Sequence, residues 1–256
     1  MQSKWISLIG LLIASSTQAE VLKIGLQGTF PPYDFMKEGK LTGFNVDIAN
    51  RLCEVMKVEC KFVPTKWDAL IPSVENKTID AAIASITITQ ARKQKVLFST
   101  SYTKVSGSFI GKKGKFLTAY VTNFDLKNKR LGVQANTIYS AYVAAKYAND
   151  PQIHISEFPS AADMYAALKN SEIDIALDDI VSAYEGHLKE KEWQGYELVG
   201  SPVRDSKYMG DGEGIAVNLN NPALKKRFDV ALSQIIKDGS YQRIMYNYFI
   251  FNVYGK

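Results

Sequence analysis

The sequence contains little of the chemistry that most metal and covalent catalytic sites need. It has two cysteines and two histidines among 256 residues, and Cys53 and Cys60 lie far along the chain from His154 and His187, which does not suit a metal centre. No nucleophile elbow or phosphate-binding loop is present. The basic residues are interspersed with acids, with a formal net charge of +5 and no concentrated basic stripe. The sequence therefore predicts no metal, no cofactor and no nucleic-acid partner.

Long hydrophobic runs are also scarce, and one short run lies at the N-terminus. Lys4 precedes an apolar run, 5–13, and small and polar residues follow at 14–19. This pattern is typical of a cleaved secretory signal peptide, which we place at 1–19, with a retained anchor as the alternative. The run is too short to span a bilayer as a mature helix, and no second long run follows. We therefore expect an exported, soluble mature protein.

The two cysteines, Cys53 and Cys60, form an even pair in a chain predicted to be exported. Because oxidising compartments favour disulfides, we expect these residues to be bonded to each other, with two free buried thiols as the alternative. The loop that such a bond closes is short, so its stabilising effect is expected at the lower end of the usual range, roughly 2–3 kcal/mol.

Short strands alternate with amphipathic helices in two series. Residues 21–26 alternate as a strand does, and 44–56 carry apolar residues at helical spacing. Residues 79–86 are nearly all apolar, as in a strand buried on both faces. A glycine- and lysine-rich stretch, 107–115, separates the first series from the second. The other predicted strands are 60–63, 130–133 and 173–177, and the other predicted helices are 67–74, 137–147, 160–169, 178–189, 222–237 and 240–249. This alternation predicts an α/β fold of two lobes with ligands at the carboxyl ends of parallel strands.

Ligand-type side chains are concentrated at three places. At 84–92 a buried strand ends in hydroxyl residues and a helix begins with Arg92 in its first turn, which suits a carboxylate, although a capped surface arginine is the alternative. The acids at 178–179 follow a strand and are either a helix cap or a partner for an ammonium group. The aromatic residues at 30–33 and Trp67 are either packing or walls around a ligand. Together these groups describe a site for a zwitterion.

Several motifs in a fixed order also resemble those of a known family. These motifs are residues 41–49, 67–73, 79–81, 86–92 and 238–241. Over 21–254 the chain resembles the polar amino-acid-binding proteins of bacterial ABC importers (solute-binding protein family 3), of the type that binds lysine, arginine, ornithine or histidine. Cys53 and Cys60 also fall where this subgroup has its disulfide.

The resemblance implies a type II periplasmic binding protein fold. In this fold each lobe is a mainly parallel sheet flanked by helices, and two crossover strands, here near 103–107 and 204–210, join the lobes. The first lobe would comprise 21–105 and 208–256, and the second 106–207. The resemblance also implies a periplasmic location, a monomer without enzymatic activity, and two partners: a free amino acid and a membrane permease.

The resemblance further assigns ligand contacts residue by residue. Arg92 would clamp the ligand α-carboxylate, with help from Thr87 and the helix start at Thr137. Asp179 would hold the α-ammonium group, with Ser85 beside it. The remaining assigned residues are an aromatic pair around the side chain, Phe30 and Trp67, and a lining for its far end, Gln27, Ala84, Gln134 and Tyr139.

Three departures from the family pattern bear on the ligand. Gln27 stands where lysine- and arginine-binding members have an Asp facing the distal cation, Ala84 replaces a Ser, and Asn136 replaces a Gly. Asp178, Glu185, Glu213 or the aromatic walls could serve a guanidinium instead. We favour arginine or another cationic amino acid, with glutamine or another polar neutral amino acid as the alternative. Other classes left open are an enzyme of the cyclohexadienyl dehydratase type, with Glu185 or Glu213 as acid or base, and a soluble sensor partner.

Overall fold

Residues 20–254 form two five-stranded sheets and one three-stranded sheet, with helices packed around them. The computed structural model describes residues 20–254, so the predicted signal peptide at 1–19 lies outside the described residues. The strands are β1 (Val21–Leu26), β2 (Thr29–Phe30), β3 (Asp34–Lys37), β4 (Lys40–Thr42), β5 (Glu59–Pro64), β6 (Ala81–Thr87), β7 (Val96–Phe98), β8 (Gly107–Lys112), β9 (Lys129–Gln134), β10 (Ile153–Phe158), β11 (Ile175–Asp179), β12 (Tyr196–Val203) and β13 (Glu213–Asn218). The helices are α1 (Phe44–Met56), α2 (Trp67–Glu75), α3 (Gln90–Lys93), α4 (Asn123–Leu126), α5 (Ile138–Tyr147), α6 (Ala161–Lys169), α7 (Ile180–Ala183), α8 (Pro222–Lys237) and α9 (Ser240–Tyr248).

Both large sheets are mainly parallel, as predicted. The strand order is β5-β1-β6-β13-β7 in the first sheet and β10-β9-β11-β8-β12 in the second. Only β13 in the first sheet and β8 in the second run against their neighbours. Every residue of β6 is buried, which agrees with its nearly continuous apolar sequence. We call the first sheet, with its helices and the three-stranded sheet that packs against α1, the first lobe. The second sheet with its helices is the second lobe.

Two connections join the lobes. The chain leaves the first sheet after β7 through 99–106 and returns to it through 204–212. The connections meet where the Glu213 amide donates to the Thr103 carbonyl oxygen at 2.8 Å and the Tyr102 amide donates to the Glu213 carbonyl oxygen at 2.9 Å. The two-lobed α/β architecture implied by the resemblance is therefore present. Because β6 and β11 belong to different lobes, residues at their carboxyl ends can face each other.

Helix α1 agrees with the helix predicted at 44–56 and carries one half of the disulfide. It begins after Gly43, whose φ of 124° and position against the Tyr33 carbonyl oxygen leave no room for a Cβ atom. Cys53 in this helix is bonded to Cys60 in β5, which confirms the predicted disulfide. Within residues 20–254, no helix has both the length and the apolar character required to cross a bilayer.

The glycine- and lysine-rich stretch at 107–115 begins with a strand of the second lobe. Residues 107–112 form β8, an interior strand of the second sheet. Glycine is needed there because a Cβ atom on Gly107 would lie 2.7 Å from the Tyr139 ring, and one on Gly111 2.9 Å from the Phe116 ring. Gly107 and Gly111 therefore allow aromatic rings to pack on a buried strand.

The helix predicted at 178–189 begins two residues later in the structure, at Ile180. Asp178 and Asp179 are the last two residues of β11, and α7 follows as a single turn that continues into a π-helical turn, Tyr184–Leu188. Asp179 Oδ1 accepts hydrogen bonds from the Val181 and Ser182 amides at 2.8 and 2.9 Å. The two acids therefore lie at the buried carboxyl end of a strand instead of on a helix.

Candidate functional site

A cavity lies between the two lobes, and the carboxyl ends of β6 and β11 line it. It is lined by all eleven residues that the sequence predicted as ligand contacts, Gln27, Phe30, Trp67, Ala84, Ser85, Thr87, Arg92, Gln134, Thr137, Tyr139 and Asp179. The lining also includes Ile138, Asp178 and Glu213. Glu185 is not part of it and instead forms an ion pair with Lys189 at 2.5 Å. The structure thus brings the predicted residues together, while their contacts with a ligand stay predictions.

Arg92 extends into this cavity from the short helix after β6. The Thr89 hydroxyl caps α3 by accepting a hydrogen bond from the Arg92 amide at 3.3 Å. The guanidinium donates from Nη1 to the Thr87 carbonyl oxygen at 2.9 Å and from Nη2 to the Asn136 carbonyl oxygen at 3.1 Å. Burial lowers the pKa of Arg92 to about 10, against an opposing effect of Glu213. The group therefore remains a cation at neutral pH and can bind an anion.

Trp67, the first residue of α2, lies beside Arg92. Its ring centroid is 5.2 Å from the Arg92 guanidinium carbon, a cation–π distance. Its indole Nε1 donates to the Asn136 carbonyl oxygen at 3.2 Å. Phe30, which also lines the cavity, stacks on Tyr33 with 5.1 Å between ring centroids. Two aromatic surfaces are therefore available to a ligand.

Asp179 lies in the second lobe and contacts the first. Besides the two α7 amides, its carboxylate accepts a hydrogen bond from the Tyr33 hydroxyl, at 3.3 Å to Oδ1 and 3.4 Å to Oδ2. Burial raises the pKa of Asp179 well above its ordinary value, and the nearby carboxyls of Glu213 and Asp178 raise it further. A cation entering the cavity would favour the ionised form of this carboxyl.

Ser85 is held by a buried network that sequence reasoning missed. Its backbone has a φ of 50°, and its amide donates to the Tyr102 hydroxyl at 3.1 Å. That hydroxyl donates to Asn45 Oδ1 at 2.9 Å, and Asn45 Nδ2 donates to Asp34 at 2.8 Å. Asn45 lies in the family motif at 41–49, and a buried polar residue at the start of an apolar helix was the available signal.

Glu213 is buried where the two connections meet. Its carboxylate accepts a short hydrogen bond from the Thr103 hydroxyl. Burial raises the pKa of Glu213 to about 7, and the hydroxyls of Thr103 and Ser85 and the charge of Arg92 act in the opposite direction. Glu213 is thus an acid close to the predicted carboxylate clamp.

The amides Gln27 and Gln134 approach each other across the lobes. Gln134 Nε2 donates to Gln27 Oε1 at 3.4 Å. Thr137 caps α5, since its hydroxyl accepts from the Ser140 amide at 3.1 Å. The N-terminal end of α5 therefore lies at the cavity, where its dipole favours negative charge.

The site combines one cation with three carboxyl groups. Within the described part of the chain, no group of three or more His, Cys, Asp or Glu residues is arranged to hold a metal ion. A cavity between two α/β lobes, with an arginine from one lobe and an aspartate from the other, defines a two-lobed binding protein for small solutes.

Residues 22–251 match the model of the bacterial extracellular solute-binding proteins, family 3, and the chain belongs to this family. It is 35% identical over 235 residues to the L-arginine-binding protein of Pseudomonas aeruginosa, which covers 91% of this chain and 90% of that protein. It is 34% identical over 252 residues to the lysine/arginine/ornithine-binding periplasmic protein of Escherichia coli, covering 97% and 96% of the two chains. The structure of a Salmonella typhimurium periplasmic binding protein with high arginine specificity matches with a TM-score of 0.81 at 31% identity, covering 90% and 100%.

Proposed function

We propose that the protein captures a free L-amino acid, favouring arginine or another cationic amino acid, and delivers it to the permease of an ABC importer. The observation that carries this proposal is that Arg92 of the first lobe and Asp179 of the second line one cavity. A ligand with a carboxylate and an ammonium group can neutralise both. The names of the arginine- and lysine/arginine/ornithine-binding relatives support the cationic preference.

In this proposal each predicted contact keeps its role. Arg92, with Thr87 and the α5 N-terminus at Thr137, binds the α-carboxylate, and Asp179 with Ser85 binds the α-ammonium group. The other assigned residues enclose the side chain: Phe30 and Trp67 sandwich it, and Gln27, Ala84, Gln134 and Tyr139 line its far end. All of these residues line the cavity.

Binding couples to closure of the two lobes. We propose lobes of 21–105 plus 208–256 and of 106–207, whose boundaries fall within the two connections, 99–106 and 204–212. A ligand held by both lobes stabilises the closed arrangement over the open one through its differential contacts. Closure also removes water, so that the charged hydrogen bonds strengthen in a medium of lower dielectric constant.

The proposal places the protein in the periplasm, as a monomer, after removal of residues 1–19. The family and its periplasmic relatives support this location. These relatives are named as binding proteins, which supports a role without catalysis. Glu213 is the one former candidate for an acid or base that lines the cavity, since Glu185 lies outside its lining.

The proposal is tested by a thermal-shift screen of the twenty amino acids with ornithine and citrulline, followed by titration calorimetry. A ligand selective for the folded state raises the melting temperature, and we expect the largest shifts with cationic amino acids. Arg92→Ala should weaken binding by about 2–5 kcal/mol, because it removes the partner of a buried charge. Arg130→Ala is the matched control, since Arg130 is exposed and pairs with Asp174 at 2.7 Å outside the cavity.

Several outcomes would contradict the proposal. Unchanged affinity in Arg92→Ala would refute the carboxylate clamp, and a preference for glutamine would replace the cationic ligand with a neutral one. Turnover of prephenate or arogenate that is lost in Glu213→Gln would indicate an enzyme. We expect no turnover of either compound.

A further inference from the structure

The cavity holds more carboxyl groups than a neutral zwitterion needs. Among its lining residues Arg92 is the one basic side chain, whereas Asp178, Asp179 and Glu213 are acidic. In the proposed function Arg92 binds the ligand carboxylate and Asp179 binds its α-ammonium group. Two buried acids then remain.

Glu213 already has partners in the protein. The Thr103 hydroxyl donates to its carboxylate, and the charge of Arg92 is close enough to favour its ionised form. It also begins β13, directly after the returning connection, and its backbone pairs there with Thr103. Glu213 is thus accounted for by the junction of the two connections.

Asp178 has hydrogen-bond partners but no cation. The residue is 2% exposed, and its Oδ2 accepts a hydrogen bond from the Tyr165 hydroxyl at 3.0 Å. The Asp179 backbone and the Ser182 side chain also favour its ionised form. No lysine, arginine or histidine among residues 20–254 forms an ion pair with it. Burial raises the pKa of Asp178 to about 6. A buried carboxylate without a cation is costly, so a positive ligand group would stabilise it.

The two aspartates of β11 point in different directions. Successive side chains of a strand lie on opposite faces, and here Asp179 contacts Tyr33 while Asp178 contacts Tyr165 of α6. Helix α6 packs against β2, which carries Phe30 of the aromatic wall. Asp178 therefore lies on the side of the cavity where the ligand side chain would run.

We propose that Asp178 receives the distal cation of the ligand side chain, so that the two consecutive aspartates of β11 bind the two positive groups of one cationic amino acid. This inference rests on the proposed function and names the residue that gives the protein its preference for cationic amino acids.

The test compares arginine with citrulline, which has the same length but a neutral urea group in place of the guanidinium. Asp178→Asn removes the charge and keeps an oxygen that can accept from Tyr165. We expect wild-type protein to prefer arginine, and Asp178→Asn to lower the arginine-to-citrulline affinity ratio by about tenfold or more, as for loss of a charged hydrogen bond. The control, Glu185→Gln, changes an acid that lies outside the cavity lining and should leave this ratio unchanged.

The inference is wrong if Asp178→Asn keeps the wild-type arginine-to-citrulline ratio, or if wild-type protein does not prefer arginine. It is also wrong if Glu213→Gln, and not Asp178→Asn, removes the preference for arginine. A variant that still binds citrulline is folded. Asp178→Ser is a second neutral substitution at this position and should lower the same affinity ratio. A wild-type protein that binds no amino acid refutes the proposed function itself. Tight arginine binding with an unchanged ratio in Asp178→Asn refutes the present inference alone.

Discussion

A single carbonyl oxygen in the second lobe, that of Asn136, accepts hydrogen bonds from two side chains of the first. The donors are Trp67 Nε1 at 3.2 Å and Arg92 Nη2 at 3.1 Å. Asn136 has a φ of 59°, a left-handed conformation that asparagine tolerates better than most residues. Closure of the lobes therefore includes protein–protein bonds in addition to those that a ligand would make.

Trp67→Phe isolates one of these bonds. The substitution keeps an aromatic wall and removes the indole N–H, so we expect affinity for the best amino acid to fall by about 1 kcal/mol, roughly fivefold. Arginine and citrulline should be affected alike in titration calorimetry, because the lost bond is between the lobes. Trp67→Ala, which also removes the wall, should weaken binding further. Wild-type affinity in Trp67→Phe would show that the indole bond does not contribute to closure.

At the scale of elements, the π-helical turn at 184–188 brings the backbones of the two lobes into contact. A Cβ atom on Gly186 would overlap the carbonyl oxygen of Pro31, which lies between β2 and β3. Because the obstacle is a backbone atom, it cannot be relieved by a change of rotamer. A residue larger than glycine at this position opposes the closed arrangement.

Gly186→Ala should therefore weaken ligand binding by about tenfold or more, as overpacking of a well-packed contact typically costs 1–3 kcal/mol. The melting temperature of the ligand-free protein should change little, because an open arrangement relieves the overlap. Gly195→Ala is the matched control, since a Cβ atom there meets nothing within 4 Å. Calorimetry of both variants provides the test, and equal affinities would contradict it.

Sequence periodicity predicts the elements whose pattern is local. Helices α1 and α8 and the buried strand β6 follow directly from apolar spacing. Strands β8 and β13 were not predicted, because glycines and a terminal acid obscure short buried strands. Contacts between lobes escape local patterns altogether: Tyr33 and Asp179 are 146 residues apart. The resemblance supplied the set of eleven predicted contacts. Only the structure shows that Asp178 and Glu213 line the cavity and that Glu185 does not.

At the scale of the whole molecule, buried carboxyls make stability depend on pH. Burial raises the pKa of Glu213 from 4.5, and that of Asp34 from 3.8, to about 7 in each case. The folded state therefore holds protons that the unfolded state releases, and the stability present at low pH is lost as the pH rises through 7. Burial lowers the pKa of His187 from 6.5 to about 4. This shift makes stability rise with pH, but only up to about pH 6.5, above which the histidine is neutral in both the folded and the unfolded state.

Between pH 6.5 and 8 the melting temperature of the ligand-free protein should therefore fall. Glu213→Gln should flatten this dependence, because it removes one of the titrating groups while retaining a side chain of the same shape. Arginine should also flatten it, since its positive groups favour ionised carboxyls. Differential scanning calorimetry across this range provides the measurement, and a melting temperature that rises with pH would contradict the assignment.

The position of β13 has a consequence for the order in which the protein can assemble. This strand lies between β6 and β7, although about half of the polypeptide separates it from them in sequence. A growing chain therefore exposes two unpaired strand edges in the middle of its first sheet until residues 213–218 have been synthesised. The second lobe is built from one continuous segment and can form all its strand pairings earlier, so it can complete its fold before the first lobe.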